Sequence, residues 1–200
     1  YVQLTFRNLT QPLKLYGVGC TFMTYPVQHR GRFESSDGQL DKIWQTGAYT
    51  QQLCMHDALM DCPWREQMQW LGDGRVQLLI AQNAFGDTRM PRKFIEQFAE
   101  SQMSSGMMPM VAPGRRSYIV DYALWWLQGL LDVLLMEPDQ GFARRMLPHL
   151  ERLLAWFEPF ENADGLLTDV PGWIFIDWAN VGRTGVCASL NAVYAIALRA

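Results

Sequence analysis

The sequence is short of several signals, and each shortage removes a class of explanation. Its four cysteines, Cys20, Cys54, Cys62 and Cys187, form no CxxC pair, which disfavours a zinc knuckle or a redox motif and leaves buried free thiols as the expectation. Basic residues are scattered singly or in pairs, and the formal net charge is -3. That gives no electrostatic footprint for a phosphate backbone or an anionic lipid surface, so nucleic acid and membrane are set aside as partners. The longest apolar run, YALWWLQGLLDVLLM, is interrupted by Gln128 and Asp132 and falls short of the roughly 20 residues of a spanning helix. Nothing at the N-terminus reads as a secretory leader, and no repeat of fixed sequence period is visible.

What is present is a chain of 200 residues, 49% hydrophobic and 18% charged, the composition of a globular protein able to bury a real core. It opens on YVQLTF with strand alternation already running and closes on NAVYAIALRA with a helical pattern still running. It therefore reads as an excerpt of a longer protein. Any export signal would lie upstream, so a cytoplasmic address is no more than the default expectation.

Residues 1–34 are strand-like: Val2, Leu4 and Phe6 alternate with Gln3, Thr5 and Arg7, and LKLYGVGCTFMTYPV adds β-branched and aromatic residues with glycine punctuation. A strand pair cannot stand alone, so this segment is expected to be the end of an upstream β-domain. At SSDGQLDKIW the hydrophobic period changes from two to 3.6, with Ser36 three residues before Gln39 as a capping-box signature and Leu40, Ile43, Trp44 and Gly47 on one face. The pattern predicts helices over 38–57, 66–84, 88–104, 119–136, 140–158 and 184–200.

The connections carry as much information as the helices. FGD and EPD are short joints, whereas the other three are long and rich in charge, glycine and tryptophan. Successive connections in a stack of antiparallel helices fall at opposite ends, so the three long joints share one end. Long joints in compact domains are usually functional, which makes that rim the place to look for a site. The helix-hairpin unit recurs about every 55 to 70 residues, as in a toroid built of hairpins; six helices would make half of a closed ring.

One long joint contains DCPWREQMQWLGDGR, residues 61–75. Pro63 biases Cys62 away from helical angles, so 61–65 reads as loop and Glu66 as the start of a helix. Glu66 and Asp73 would then share a face, with Trp70 between them and about 10 Å of axial rise. Gly72 and Gly74 in that helix sacrifice about 2 kcal/mol relative to alanine, which implies close packing by a ligand or by a neighbouring helix. Two readings stay open for the charges. In one, Arg65 pairs with Asp61 and Arg75 with Asp73 in a solvated cluster. In the other, carboxylates interleaved with Trp64 and Trp70 form a carbohydrate site, since sugars present apolar faces to aromatics and hydroxyls to charged groups. The methionines of MSSGMMPMV read as groove fillers.

The stretch FESSDGQLDKIWQTGAYTQQLCMHDALMDCPWREQMQWLGD closely resembles the entry to the catalytic domain of bacterial α-L-rhamnosidases, six-hairpin glycosidases of the glycoside hydrolase family 78 type. The resemblance covers nearly the whole chain, and DCPxRExxxWLGD is its most specific part. It implies a mainly α fold, a partial (α/α)6 barrel over 35–200 that is the N-terminal half of the catalytic domain, preceded over 1–34 by the last strands of a β-sandwich domain. It further implies an inverting hydrolase that releases terminal α-L-rhamnose, with a rhamnoside as partner and no cofactor or metal. By the match, Glu66 is the general acid, and Asp61 and Asp73 bind sugar hydroxyls. Arg65 and Trp70 line the same subsite, and WIFIDW sets Trp173, Asp177 and Trp178 against the rhamnose. In SYIVDYALWW, Asp121 either lines the cleft or caps helix four.

The family's general base belongs to later helices, so this stretch alone is expected to be inactive. A general acid must be protonated when substrate binds; the neighbouring Asp61 and Asp73 are expected to favour that state in Glu66, with Arg65 turned toward Asp61 or the sugar. His56 fits no metal spacing and reads as a hydrogen-bonded rim or core histidine, and Cys62 as part of the DCP turn rather than a nucleophile. The rival readings are a non-catalytic toroid that binds carbohydrate or protein through the same rim, and a six-hairpin glycosidase for another sugar.

Overall fold

A computed structural model describes residues 2–114 and 116–199. Six α-helices dominate the described residues: α1 Gly38–Leu53, α2 Leu71–Ile80, α3 Arg89–Glu100, α4 Val120–Met136, α5 Gln140–Phe157 and α6 Ala188–Ala197. A π-helical turn, Ala81–Phe85, extends α2 and ends at Gly86, whose φ of 61° supplies the left-handed cap. No helix is long and apolar enough to cross a membrane among the described residues.

All six expected helices form, and three of their starts differ in instructive ways. The N-cap of α1 is Asp37, whose Oδ1 accepts from the Gln39 N–H at 2.9 Å, in place of the expected Ser36. α2 begins at Leu71, five residues later than Glu66. α2 and α4 have no side-chain cap. Their first N–H groups are taken instead by the following long joint: Leu71 N–H donates to the Met110 carbonyl at 3.0 Å, and Val120 N–H to the Trp173 carbonyl at 2.9 Å.

α4 packs between α2 and α6, with α1, α3 and α5 arranged outside them. Its sequence is apolar nearly all round, as a helix covered on both sides requires; Val120, Leu124, Trp126 and Leu127 are buried. α3 buries one stripe, Met90, Phe94, Ile95, Phe98 and Ala99. Phe142 and Phe157 of α5 are fully buried in the same core, each contributing about 1.5–3 kcal/mol through removal of its ring from water. Met107, Met108 and Met110 are buried as well, filling space beneath the rim.

α5 starts at Asp139, whose Oδ1 accepts from the Phe142 N–H at 3.0 Å while Oδ2 accepts from Arg92 at 2.6 Å. Arg92 and that N–H hold the Asp139 carboxyl at about 2, below its ordinary 3.8. Because the folded value is the lower one, this stabilisation is complete above pH 3.8 and is lost as pH falls toward about 2. Asp139→Asn is therefore expected to flatten the acid limb of the stability curve in that window. An unchanged limb in acid titrations would assign it to another carboxylate.

The strand pattern at the start of the chain forms no sheet. No strand occurs among the described residues, and Val2 and Phe6 are 81% and 51% exposed. A strand needs a neighbour to complete its hydrogen bonds and cover its apolar face, and none of the helices offers one. Residues 24–31 instead lie as an extended strap on the helices. Tyr25 N–H donates to the Met55 carbonyl at 2.7 Å, Thr24 Oγ1 to the Gln52 carbonyl at 2.5 Å, and Gly31 N–H to the Ala84 carbonyl at 3.0 Å.

Candidate functional site

The short joints, 86–88 and 137–139, and the long joints, 54–70, 101–119 and 158–187, alternate as expected, and the long ones meet at one end. Trp70 bridges to Val111, and Ile119 to Trp173. Gln69, 4% exposed, is the bolt between the first two joints: its Oε1 accepts from Leu59 N–H at 3.1 Å, and its Nε2 donates to the Ala112 carbonyl at 2.7 Å and to Gln97 Oε1 at 3.0 Å. A buried amide with both ends bonded fixes the joints against each other.

A cleft of about 350 Å³ opens where the joints converge, within the usual size range of small-molecule sites. The first joint contributes Asp61, Arg65, Glu66 and Trp70, and the start of α2 contributes Asp73. The last joint supplies Trp173, Phe175, Asp177 and Trp178. All eight site residues expected from the sequence thus line one cleft. Ile119, Tyr122 and Phe175 line it too and were not anticipated. Tyr122 follows Asp121 in the first turn of α4, and an aromatic beside an acidic residue at a helix start facing the rim is the signal that points to it. Trp64 lies outside the lining, 86% exposed.

Glu66 is on the loop rather than on a helix, so it shares no helical face with Asp73. Its segment is folded by Asp61: Met68 N–H donates to Asp61 Oδ1 at 2.9 Å, and Asp61 N–H donates to the Met68 carbonyl at 2.9 Å. Gln67 takes a φ of 55° to close this turn, and its Nε2 donates to the Pro63 carbonyl at 2.9 Å. These side-chain bonds override the helix propensity of EQMQ. Glu66 is then gripped from two sides. Trp70 Nε1 donates to Oε2 at 2.9 Å and Arg65 Nη2 to Oε1 at 2.7 Å. Arg65 pairs with Glu66, against the expectation that it would turn to Asp61, which weakens the general-acid assignment. The guanidinium is 84% exposed, so this is an open pair that another anion or hydroxyl can displace.

Arg75 pairs with Asp132 at 3.0 Å, not with Asp73. Asp73 is left to accept from the Tyr122 hydroxyl at 3.2 Å. Burial pushes the Asp73 carboxyl up, its own backbone N–H and Tyr122 pull it down, and the charges of Asp61 and Glu66 push it up again. Burial and the Asp73 charge raise the Tyr122 hydroxyl in turn. The two glycines around Asp73 are explained by side-chain packing: a Cβ on Gly72 would stand 2.5 Å from the Tyr122 ring, and one on Gly74 would overlap the Phe94 ring.

Asp121 does not line the cleft. It is 3% exposed, and it accepts from the N–H groups of Phe175 at 2.7 Å and Ile176 at 3.2 Å. Burial raises its carboxyl and these N–H bonds oppose the rise. The segment it holds is unusual: Ile176, Asp177 and Trp178 have φ of 46°, 48° and 61°. Non-glycine residues in this region cost about 1–3 kcal/mol each, and most for a β-branched side chain. Trp178 packs edge-on against Phe175 at 5.0 Å and Trp173 at 6.1 Å, forming an aromatic wall.

Among the described residues, no group of three or more His, Cys, Asp and Glu side chains is placed to hold a metal ion. His56 is exposed on the first joint rather than bonded in the rim. Of the four free thiols, Cys54 and Cys187 are buried, whereas Cys20 is exposed and Cys62 partly so. The Cys62 sulfur accepts from the Glu66 N–H at 3.3 Å, a turn role.

Known proteins resemble this chain in sequence and in fold. A family model described as the bacterial alpha-L-rhamnosidase 6 hairpin glycosidase domain matches residues 28–196. An alpha-L-rhamnosidase of Formosa agariphila is 24% identical over 165 residues, covering 76% of this chain and 17% of that protein. The crystal structure of a GH78 family rhamnosidase of Bacillus sp. GL1 matches with a TM-score of 0.82 at 28% identity, over 88% of this chain and 19% of that one. A rhamnosidase from Klebsiella oxytoca with rhamnose bound matches with a TM-score of 0.75 at 27% identity, over 82% of this chain and 33% of that one. The chain thus spans less than a fifth of the length of the curated relative.

Proposed function

The chain belongs to the bacterial α-L-rhamnosidase six-hairpin glycosidase domain family, and from that premise we propose that its cleft is the sugar-binding half of a hydrolase that releases terminal α-L-rhamnose. On this reading residues 35–200 are the N-terminal half of the (α/α)6 catalytic barrel, and the strand-patterned segment 1–34, which forms no strand among the described residues, would find its sheet partners in an upstream β-sandwich domain. Glu66 is the general acid, and a general base on later helices activates the attacking water. The observation that carries this reading is the convergence of Glu66, Asp61, Asp73 and three tryptophans on one cleft.

The proposed chemistry follows from the contacts. Trp70 already donates to Glu66 Oε2, so Oε1 is the oxygen left to carry the proton to the glycosidic oxygen. Arg65 pairs with Oε1 and must turn away, toward the sugar or Asp61, as substrate enters. Asp61 and Asp73 accept from sugar hydroxyls, and Trp70, Trp173 and Trp178 cover the apolar ring face. Water attacks the opposite face across a gap of about 6.5–9.5 Å between acid and base, so configuration inverts.

The test is the anomer released first by the full-length protein from an activated α-L-rhamnoside, read by proton NMR before mutarotation. β-L-rhamnose is expected; α-L-rhamnose released first overturns inversion. The Arg65–Glu66 pair favours a second reading, a toroid that binds sugar without cleaving it, and rhamnose binding with no turnover of any rhamnoside would establish that one. Turnover of a different glycoside in place of rhamnosides would assign another sugar.

A further inference from the structure

We infer that Asp121 and Arg183 are positioning residues that hold the left-handed turn Ile176–Trp178 from opposite sides and so aim the aromatic wall at the sugar. The inference deepens the rhamnoside reading and rests on it.

Little in the turn's own sequence selects its backbone, Asp177 alone being of a type that enters the left-handed region readily. Ile176, Asp177 and Trp178 all have φ between 46° and 61°, and neither glycine nor asparagine is among them; isoleucine is among the residues least suited to this region. Packing anchors only its first residue: Ile176 rests against the main core, whereas Trp178 is 80% exposed and stacks only on residues of the same joint. Left to itself, the segment would relax to ordinary extended or helical angles and turn Trp178 and Asp177 out of the cleft.

Two side chains supply what the segment lacks. The Asp121 carboxylate takes the N–H groups of Phe175, the residue before the turn, and of Ile176, its first reversed residue. Arg183 takes the carbonyls: Nε donates to Ile174 at 2.8 Å, Nη2 to Phe175 at 2.9 Å and Ala179 at 2.5 Å, and Nη1 to Val181 at 3.0 Å. Donors and acceptors on both flanks of the turn are thereby fixed by one anion and one cation. Asp121 starts α4, the helix that also carries Tyr122 against Asp73. The clamp therefore registers the last joint against the first two. Neither Asp121 nor Arg183 lines the cleft, so both act through the turn.

Asp121→Asn and Arg183→Lys in the full-length protein test this. Each is expected to raise KM for an activated rhamnoside about tenfold, the effect of losing a charge-assisted bond. Turnover number should stay within about twofold, because Glu66 sits on a different joint and only binding is lost. Amide exchange at Phe175 and Ile176 should quicken in Asp121→Asn. Ile176→Gly placed in the Asp121→Asn background should recover most of the KM, since glycine takes positive φ freely. Unchanged KM and unchanged exchange overturn the inference. A fall in turnover number and thermal midpoint together, with KM untouched, also overturns it, by assigning the pair to stability alone. If the protein cleaves no rhamnoside, the functional reading fails by itself. Exchange at the two amides then still decides whether Asp121 holds the turn.

Discussion

Glu66→Gln in the full-length protein is expected to lower turnover of rhamnosides by about 10²–10⁴-fold, the contribution of a positioned general acid, while rhamnose binding stays close to that of the unmodified protein. Glutamine keeps the shape of the side chain and an oxygen to accept from Trp70 Nε1, a bond of 2.9 Å in the native site. It removes the only proton the side chain can give to a leaving oxygen. It also releases Arg65 from its pair, so the guanidinium is free to meet sugar hydroxyls and offset any loss of affinity. The fall should be steepest for natural rhamnosides, whose poor leaving groups depend most on protonation. Steady-state kinetics beside a direct binding titration separates the two effects. Near-normal turnover would remove Glu66 from the role, and a matching collapse of binding would recast it as a sugar ligand.

The largest effect on stability is expected at Trp126. Its ring is fully buried on α4, and its Nε1 donates to the Ile95 carbonyl of α3 at 3.1 Å. Trp126→Ala should destabilise the helical domain by about 3–5 kcal/mol, the usual cost of deleting a buried tryptophan. Trp126→Phe, which keeps most of the volume and gives up only that hydrogen bond to a carbonyl already paired within α3, should cost about 0.5–1.5 kcal/mol. α4 carries Asp121 and Tyr122 at its start, so a shaken α4 also disturbs the cleft. Denaturation of both variants checks the ranking; an alanine variant no less stable than the phenylalanine one would show that the ring's packing is not what seats α4.

Much of the architecture was legible. Apolar residues at helical spacing marked α3, α4 and α5, and alternation of short and long joints was enough to gather the long ones on one rim, because chain direction reverses at each hairpin. What local pattern could not reveal were bonds between segments distant in sequence. The stretch EQMQ favours helix by composition, yet Asp61 and Gln69 tie it into a loop and delay α2 to Leu71. Asp37, not Ser36, caps α1 because its carboxylate reaches the Gln39 N–H. The alternation of Val2, Leu4 and Phe6 reports strand character, but a sheet is made by neighbours, and no neighbour exists among the described residues.

The residues expected at the cleft came from the family resemblance, through DCPxRExxxWLGD and WIFIDW. Their supports were hidden. Asp121 had two open readings, to line the cleft or to cap a helix, and its partners lie more than 50 residues away at Phe175 and Ile176. Three successive left-handed residues without glycine leave no trace in composition, since the backbone there is imposed from outside. Tyr122 likewise becomes part of the site only when α4 is set beside α2.

The acceptors that Leu71 and Val120 find at Met110 and Trp173 make the hairpins interdependent in one direction. α2 and α4 each have their first N–H satisfied by a long joint that comes later in the chain, so neither is finished on its own. In a simple array of repeats, units can melt one at a time. Here, loosening the last joint withdraws support from α4, and loosening the middle one withdraws it from α2, so damage travels backward toward the N-terminus and the rim is expected to lose order as a single cooperative unit.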